Sequence, residues 1–257
     1  MPLKISIITV CFNSSKTIAD TINSVNKQDY SYLEHIFVDG KSSDSSIEII
    51  EMESTVSKKI VSEKDAGIYD AMNKGIELAS GDIIGTLNAD DLYENPSVLS
   101  EIAKIFEDPT IDACYGDLLY VKEGNTSQTV RYWKSSEYKI GAFKFGWVPG
   151  HPTFFVRRGV YERFGEFNLD YKIASDFEIM FRLIEIHKIK VKYLPKVLVK
   201  MRLGGTTNKN ISNIIKQNKE IFRVLKNYYS DFSLTHFLIK KLLNRISQFL
   251  NRPPTEV

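Results

Sequence analysis

The sequence is poor in cysteine and contains neither a long apolar segment nor a glycine-rich phosphate loop. Its two cysteines, Cys11 and Cys114, are too few for a disulfide framework, and neither belongs to a C-x-x-C pair. No stretch approaches the ~20 apolar residues of a membrane-spanning helix, and the start of the chain lacks a secretory pattern. These absences predict a protein of the reducing cytoplasm.

The charge is nearly balanced overall but uneven along the chain. The formal net charge of the 257 residues is +2, which argues against a dedicated nucleic-acid-binding protein. Residues 208–252 contain nine Lys or Arg and two Asp or Glu, a local charge of +7, which leaves −5 for the remainder. A basic tail behind a mildly acidic body is typical of tails that bind anionic partners.

Short apolar runs alternate with helical patterns through the first hundred residues. Runs rich in β-branched residues predict four strands, Lys4–Val10, Leu33–Val38, Lys59–Val61 and Asp82–Leu87. A helix is predicted after each strand, beginning near Ser14, Ser43, Tyr69 and Pro96. This alternation predicts a three-layer α/β/α fold with a mostly parallel central sheet, in which ligands bind beyond the carboxyl ends of the strands.

The pattern changes in the second half of the chain. A hairpin is predicted first, from two runs that flank Gly124-Asn125. A strand, a helix, two short strands and a helical tail from about Asn213 are predicted after it. In order, the predicted hairpin strands and later elements are Ala113–Val121, Gln128–Tyr132, Pro152–Val156, Ser175–His187, Lys190–Leu194 and Val197–Met201.

Acidic residues follow the second and fourth predicted strands. Asp39 comes directly after Val38, where it could accept hydrogen bonds from a nucleoside or simply shape a turn. Asn88-Ala89-Asp90-Asp91 follows the fourth strand, and adjacent acids at this point repel one another unless a cation offsets their charge. Mg²⁺ and Mn²⁺ prefer carboxylate and phosphate oxygens, so Asp90 and Asp91 are candidate metal ligands. The alternative is a solvated loop in which Asp91 caps the next helix.

A third polar segment leads from the third strand into a helix. Asp65 lies at the predicted end of the strand, and Asn73 and Lys74 lie about two turns into the helix. A lysine at this place could contact a phosphate as a point charge. A solvated helix face is nevertheless the simpler interpretation of Lys74 alone.

Taken together, these segments resemble the family 2 glycosyltransferases, which have the GT-A fold. Four segments carry the resemblance, Ser6–Asn13, Phe37–Asp44, Asp65–Gly75 and Leu87–Asp91, and it continues more loosely to about Met201. The most similar members act in bacterial polysaccharide assembly. The resemblance implies a GT-A domain over residues 1–207, with a nucleotide-sugar-binding half (1–110) and an acceptor-binding half (111–207), followed by a basic helical extension (208–257).

The resemblance also implies which residues bind a nucleotide-sugar donor, usually a UDP-sugar. The residues after the first strand would contact the nucleoside, and Asp39 would bind the base. The D-x-D position is Asn88-Ala89-Asp90, so an ion, Mn²⁺ or Mg²⁺, would be held by Asp90 alone or together with Asp91. The predicted donor-binding residues are Thr9, Cys11, Asn13, Asp39, Asp65, Asn73, Lys74, Asn88, Ala89 and Asp90.

The catalytic base of the family lies at the start of a later helix, usually in a Glu-Asp pair. The matching residues are Ser175 and Asp176, which implies Asp176 as the base of an inverting transfer, with Ser in place of the Glu. The alternative for Asp176 is an ordinary acid in a first helical turn, where the helix dipole favours it. Trp147 and His151 would lie on the acceptor side, although Trp147 could belong to the core and a lone histidine is more often structural.

Apolar residues repeat at helical spacing from Leu234 to Leu250, with Lys240, Lys241 and Arg245 among them. A basic amphipathic helix can lie in a membrane interface. This would place the protein at the inner face of the cell membrane, near the glycan or undecaprenyl-linked acceptors that resembling enzymes use. The alternative is a helix packed on the domain or on the second subunit of a homodimer.

Two other functions share part of the pattern. A sugar nucleotidyltransferase also combines a nucleotide-binding sheet with acidic metal ligands, but it usually has a glycine-rich loop where this chain has Cys11–Ser15. The same absence argues against an NAD-dependent dehydrogenase. A non-catalytic nucleotide-sugar-binding protein would not need Asp39, Asp90 and Asp176 all intact.

Overall fold

The computed structural model describes residues 2–204 and 211–250, so the predicted boundary between residues 207 and 208 lies outside the described residues. Within them, nine strands form one sheet. The strands are β1 (Ile5–Cys11), β2 (Leu33–Asp39), β3 (Ser57–Ser62), β4 (Ile83–Thr86), β5 (Leu92–Tyr93), β6 (Ala113–Lys122), β7 (Asn125–Trp133), β8 (Phe155–Arg157) and β9 (Val191–Arg202). The helices are α1 (Ile18–Asn26), α2 (Ser46–Glu53), α3 (Ile68–Leu78), α4 (Val98–Ile105), α5 (Arg158–Phe164), α6 (Ser175–Phe181), α7 (Ile211–Tyr228) and α8 (Leu234–Leu250).

The sheet is parallel in the first half of the chain and mixed in the second. Its strand order is β3-β2-β1-β4-β8-β6-β9-β5, with β7 paired to β6. The first four of these strands are mutually parallel, as predicted. β8 is antiparallel to both β4 and β6, whereas β9 is parallel to β6. The predicted α/β fold and the predicted hairpin, β6 with β7, are confirmed.

The central strands are buried on both faces, which explains their continuous apolar sequences. Ile7 of β1 packs with Val25 of α1 and with α4, whereas its neighbour Ile8 packs on the other face against α3. The helix α3 approaches β1 closely at Gly75, because a Cβ atom there would lie 2.4 Å from Ile8 Cγ2. Helices therefore cover both faces of the sheet, which gives the predicted three layers.

Three predicted elements differ from the structure. The segment predicted as a strand from Pro152 begins as a 3₁₀ turn, His151–Thr153, which the Thr153 hydroxyl stabilises by donating to the Gly150 carbonyl at 2.7 Å. The helix predicted to His187 ends at Phe181 and continues as a π-helical turn. The two short strands around Pro195 are one strand, β9, because a bulge accommodates the proline. The helix α5 was not predicted.

The last two helices lie against the acceptor-side half. Ile221, Val224 and Leu225 of α7 are buried in the same core cluster as the aromatic residues of α6, and Phe237 of α8 joins this cluster. Among the residues that the structure describes, no helix is long and apolar enough to span a membrane.

Candidate active site

The carboxyl ends of β1, β2, β3 and β4 form one rim, because these strands are parallel neighbours. Cys11 lies opposite Asp39 in the pairing of β1 with β2, and Asp39 lies opposite Ser62 in the pairing of β2 with β3. The chain leaves β4 beside β1, where the Leu87 N–H donates to the Ile8 carbonyl at 2.9 Å. The segments that follow the separate strands therefore start at the same edge of the sheet.

Asp39 is fully buried, and its carboxylate is held by neighbouring turns. Its Oδ2 accepts hydrogen bonds from the Ser42 N–H at 2.9 Å and the Ser62 hydroxyl at 2.6 Å. Its Oδ1 accepts from the Ser42 hydroxyl and, at 3.6 Å, from the Cys11 thiol. Burial and then the Asp39 charge raise the pKa of Cys11, so the thiol stays protonated. A nucleobase that binds Asp39 has to displace one of these donors.

Gly40 allows two loops to meet beside Asp39. A Cβ atom at Gly40 would lie 2.7 Å from Asp65 Oδ2 and 3.4 Å from Phe12 Cδ2. The Asp65 carboxylate is oriented by the Gly67 N–H, which donates to Oδ1 at 2.9 Å. Phe12 is 63% exposed at this place, so its ring offers a surface on which a planar base can stack. Phe12 was not among the predicted site residues, although an aromatic residue directly after a buried strand was a usable signal.

The other two residues predicted from the end of β1 make internal contacts. Thr9 is fully buried, and its Oγ1 lies 2.8 Å from Nε2 of the buried His35, so its hydroxyl faces the core and not the rim. Asn13 is exposed, and its Oδ1 accepts from the Ser43 N–H at 2.9 Å. Asn13 therefore joins the loop after β1 to the loop after β2.

Asn73 and Lys74 of α3 also contact protein groups. The Asn73 side chain donates to the Phe167 carbonyl and accepts from the Phe167 N–H, both at 2.9 Å, which fixes α3 to the loop between α5 and α6. Lys74 forms ion pairs with Glu63 at 2.7 Å and Asp70 at 3.5 Å. These contacts match the solvated helix face that was the simpler interpretation of Lys74.

The Asn88–Asp91 loop places its two acids differently. Asp91 is fully buried, and its Oδ2 accepts from Asn88 Nδ2 at 3.0 Å. Burial and then the neighbouring Asp90 raise the pKa of Asp91 well above its usual range. Asp90 is partly exposed, and Arg202 of β9 donates to its backbone carbonyl at 2.7 Å. The side chain of Ala89, in the same loop, is buried in a cluster with Cys11.

The fit of this loop to a divalent cation depends on its oxygen atoms. No group of three or more His, Cys, Asp or Glu side chains that could hold a metal occurs in residues 2–204 and 211–250. Within the same residues, Asn88 Oδ1 and Asp91 Oδ1 are buried without a hydrogen-bond partner. Such unpaired oxygens are costly, and hard cations bind amide and carboxylate oxygens. The oxygen atoms of this loop therefore fit a hard divalent cation.

Asp176 lies in the first turn of α6 and is partly exposed. Its Oδ1 accepts from the Phe177 N–H at 2.8 Å and lies 3.2 Å from the Tyr69 hydroxyl, whose single proton is shared between Asp176 and the Ile173 carbonyl at 3.0 Å. Burial and then the Asp176 charge raise the pKa of Tyr69, which keeps this hydroxyl protonated as a donor. Tyr69 lies in the first turn of α3, directly after the Asp65 loop, so this contact places Asp176 beside the rim.

A carboxylate from α7 holds the loop that leads into α6. Glu220 accepts hydrogen bonds from the backbone N–H groups of Lys172 at 3.1 Å and of Ile173 and Ala174, both at 2.9 Å. Hydrogen bonds to an ionised acceptor are stronger than neutral ones. A residue of the predicted C-terminal extension therefore helps to place Asp176. No local signal in the sequence connects these two segments.

Trp147 and His151, the two residues predicted on the acceptor side, have different surroundings. Trp147 is half-buried and packs edge-on against Phe143, with ring centroids 5.2 Å apart, as the core interpretation expects. His151 contacts the Phe167 ring edge-on at 5.5 Å. Burial lowers the pKa of His151, and the Asp176 charge opposes this effect.

The sequence matches known proteins over most of its length. The model of glycosyl transferase family 2 matches residues 6–165, more than half of the chain. A PGL/p-HBAD biosynthesis glycosyltransferase of Mycobacterium bovis is 26% identical over 208 residues, which cover 79% of this chain and 78% of that protein. An uncharacterized glycosyltransferase of Haemophilus influenzae is 27% identical over 262 residues, which cover 95% of this chain and 78% of that protein.

Solved structures with the same fold include two glycosyltransferases. Residues 1–349 of S. aureus TarS, in complex with UDP-GlcNAc, superpose with a TM-score of 0.67 at 18% identity, covering 95% of this chain and 73% of that chain. The mannosyltransferase PcManGT of Pyrobaculum calidifontis, in complex with GDP-Man and Mn²⁺, gives a TM-score of 0.67 at 17% identity, covering 95% and 70%. The predicted GT-A fold is thus confirmed, and together with the family match it shows that this chain belongs to glycosyl transferase family 2.

Proposed function

We propose that this glycosyltransferase moves a sugar from a nucleotide-sugar donor, in the first place a UDP-sugar, to a glycan or lipid-linked acceptor with inversion at the anomeric carbon. The observation that supports it best is the placement of Asp176. This carboxylate is fixed by the Phe177 N–H and the Tyr69 hydroxyl beside the rim at which the Asp39, Asp65 and Asp90 segments begin. A base and a donor site at one edge of a sheet are what a single displacement requires.

In this proposal Asp176 takes the proton of an acceptor hydroxyl while that oxygen attacks the anomeric carbon. The bond from the carbon to the diphosphate oxygen breaks, and the nucleoside diphosphate leaves with the electron pair. Among the described residues, both hydrogen bonds to the Asp176 carboxylate go to Oδ1, so Oδ2 can receive the proton. A positioned base of this kind contributes about 10²–10⁴-fold to the rate.

The donor would lie along the rim from Phe12 to Asp90. Phe12 would stack on the base beside Asp39, and Asp90 with Asn88 Oδ1 would hold Mn²⁺ or Mg²⁺ together with the diphosphate. When bound, such an ion offsets the negative charge that the leaving diphosphate gains. The complexes of TarS with UDP-GlcNAc and of PcManGT with GDP-Man and Mn²⁺ support a donor of this class.

Release of nucleoside diphosphate tests the proposed function. The purified protein with Mn²⁺ is expected to hydrolyse one of UDP-, GDP- or dTDP-sugars slowly to the nucleoside diphosphate, because water can replace the acceptor hydroxyl. A nucleotidyltransferase would instead release pyrophosphate from a nucleoside triphosphate and a sugar 1-phosphate. Pyrophosphate release without any diphosphate release would reject glycosyl transfer.

The outer face of α8 supports a place at a membrane surface. Among the large apolar side chains of α8 that the structure describes, only Phe237 is buried in the protein core. The other described ones are exposed, and α8 contains three Lys or Arg residues and no acidic residue. Among the described side chains of α8, the exposed apolar ones are Leu234, Leu238, Ile239, Leu242, Leu243, Ile246 and Phe249. An apolar face with basic neighbours fits an anionic lipid surface.

Vesicle flotation tests this contact. The protein is expected to bind phosphatidylglycerol vesicles, and L242D with I246D is expected to weaken binding by more than about 10-fold, since each side chain contributes roughly 1.5–3 kcal/mol when buried in lipid. M52D is the matched control, because Met52 is 84% exposed on α2. If the intact protein does not bind vesicles, or forms a dimer that buries α8, the membrane proposal is wrong.

A further inference from the structure

The C-terminal helices bring a lysine to the acceptor side of the site. Lys241 lies on the side of α8 that packs on the protein, and its Nζ donates to Asn218 Oδ1 of α7 at 2.8 Å. The backbone of Lys241 passes close to Gly146, where a Cβ atom would lie 3.3 Å from Lys241 Cα. Gly146 directly precedes Trp147, so Lys241 lies between α7 and the acceptor-side loop.

The ammonium group of Lys241 is partly buried and has no carboxylate beside it. No Asp or Glu oxygen lies within 4.0 Å of Lys241 Nζ in the ranges 2–204 and 211–250. Burial and then Arg245 lower the pKa of Lys241 to about 8, while Asp176 opposes this shift. The group is therefore mainly protonated at neutral pH. A partly desolvated cation whose nearest polar partner is a neutral amide attracts an anion.

The segment beside Lys241 packs on the helix of Asp176. Gly146 ends the 3₁₀ turn Ala142–Phe145, and Phe143 of this turn packs edge-on against Phe177, the neighbour of Asp176, with ring centroids 5.7 Å apart. The helix α8 therefore brings an ammonium group to the segment that covers the start of α6. A neutral sugar could only accept hydrogen bonds from this ammonium, whereas an acceptor that carries phosphate would also gain from its charge.

We propose that Lys241, positioned by Asn218, binds a phosphate or diphosphate group of the acceptor next to Asp176. This inference rests on the proposed function, because it concerns the acceptor of the same site. The same helix carries the exposed apolar side chains, so a lipid attached to that phosphate would lie along the helix that contributes the lysine.

Inorganic pyrophosphate, titrated in the presence of a chelator, tests this site by calorimetry. K241M keeps the aliphatic stem and removes the charge, and its affinity is expected to be about 10- to 100-fold weaker than that of the wild type, as for the loss of a charged hydrogen bond. K241R keeps the charge and should retain most of the affinity. K240M is the matched control, because Lys240 is exposed on the same helix. Equal pyrophosphate affinity in the wild type and K241M overturns the proposal.

Two further measurements separate this site from other anion sites. D90A should bind pyrophosphate as the wild type does, and loss of binding in D90A would place the anion at the donor site and overturn the proposal. K241M should float with phosphatidylglycerol vesicles as the wild type does, because Lys241 faces the protein. If K241M no longer bound the vesicles, Lys241 would be assigned to lipid headgroups, and the proposal would be overturned. Anion binding that depends on Lys241, in a protein that releases pyrophosphate from a nucleoside triphosphate and no diphosphate from a nucleotide-sugar, would support the anion site and reject glycosyl transfer.

Discussion

The variant D176N is expected to lose turnover by about 10²–10⁴-fold, the usual contribution of a positioned base. An amide oxygen can still accept from the Phe177 N–H and the Tyr69 hydroxyl, so the side chain keeps its orientation. It cannot accept a proton from the attacking hydroxyl. The donor would bind elsewhere along the rim. Its affinity for D176N should therefore lie within about twofold of its affinity for the wild type, a smaller change than the tenfold that corresponds to about 1.4 kcal/mol.

Turnover is measured as release of nucleoside diphosphate, and donor affinity by calorimetry. D170N is the control, because Asp170 is exposed in the loop before α6 and has the same charge. Thermal unfolding of both variants checks that the loop held by Glu220 is intact. Near-normal turnover in D176N would remove Asp176 from the role of base, and a comparable loss in D170N would point to the loop as a whole.

The variant D90A is expected to lose the Mn²⁺-dependent part of donor binding, by at least about 10-fold, since even outer-shell partners of a metal contribute 10–100-fold. With a chelator present, the wild type and D90A should bind the donor equally weakly. D29A is the control, because Asp29 is exposed and lies before β2, at the opposite end of the strands. A donor affinity in D90A that still rises with Mn²⁺ as in the wild type would contradict the metal assignment.

The variant D91N decides whether Asp90 acts alone. Asp91 is fully buried, and Asn88 Nδ2 donates to its Oδ2, which leaves only Oδ1 toward a cation. Burial already raises the pKa of Asp91, so replacing its carboxyl group by the neutral amide of Asn disturbs this buried position little. We therefore expect a smaller loss of Mn²⁺-dependent binding in D91N than in D90A. The reverse order would make Asp91 the main ligand.

The rim could be predicted from local sequence because its geometry follows from parallel strands. A buried run such as Ile5–Cys11 defines a strand, and the segments after neighbouring parallel strands start at one edge. This is why the segments of Asp39 and Asp90 could be placed at one edge of the sheet, while the roles of the two residues came from the family resemblance and stay predictions. The surroundings of each side chain did not follow from the strand pattern. Thr9 contacts His35 in the core, and Asp91 is fully buried.

The contacts between distant segments could not be predicted from local pattern. Glu220 holds the loop before Asp176, and Arg202 holds the carbonyl of Asp90 across 112 positions of the chain. These pairs depend on how β9 and α7 return to the sheet, which periodicity does not encode. Local pattern was also insufficient for Lys241. The basic residues near it in the sequence predicted a helix on a membrane surface, not a contact beside the site.

The central claim is that one rim binds a cation and an activated sugar together. Thermal unfolding with UDP-, GDP- and dTDP-sugars, each with Mn²⁺ and with a chelator, tests it most directly, because a ligand that binds only the folded state raises the unfolding temperature. We predict that at least one of these donors stabilises the protein with Mn²⁺ and that the chelator removes most of that stabilisation. If no donor shifts the unfolding temperature in either condition, the claim is contradicted.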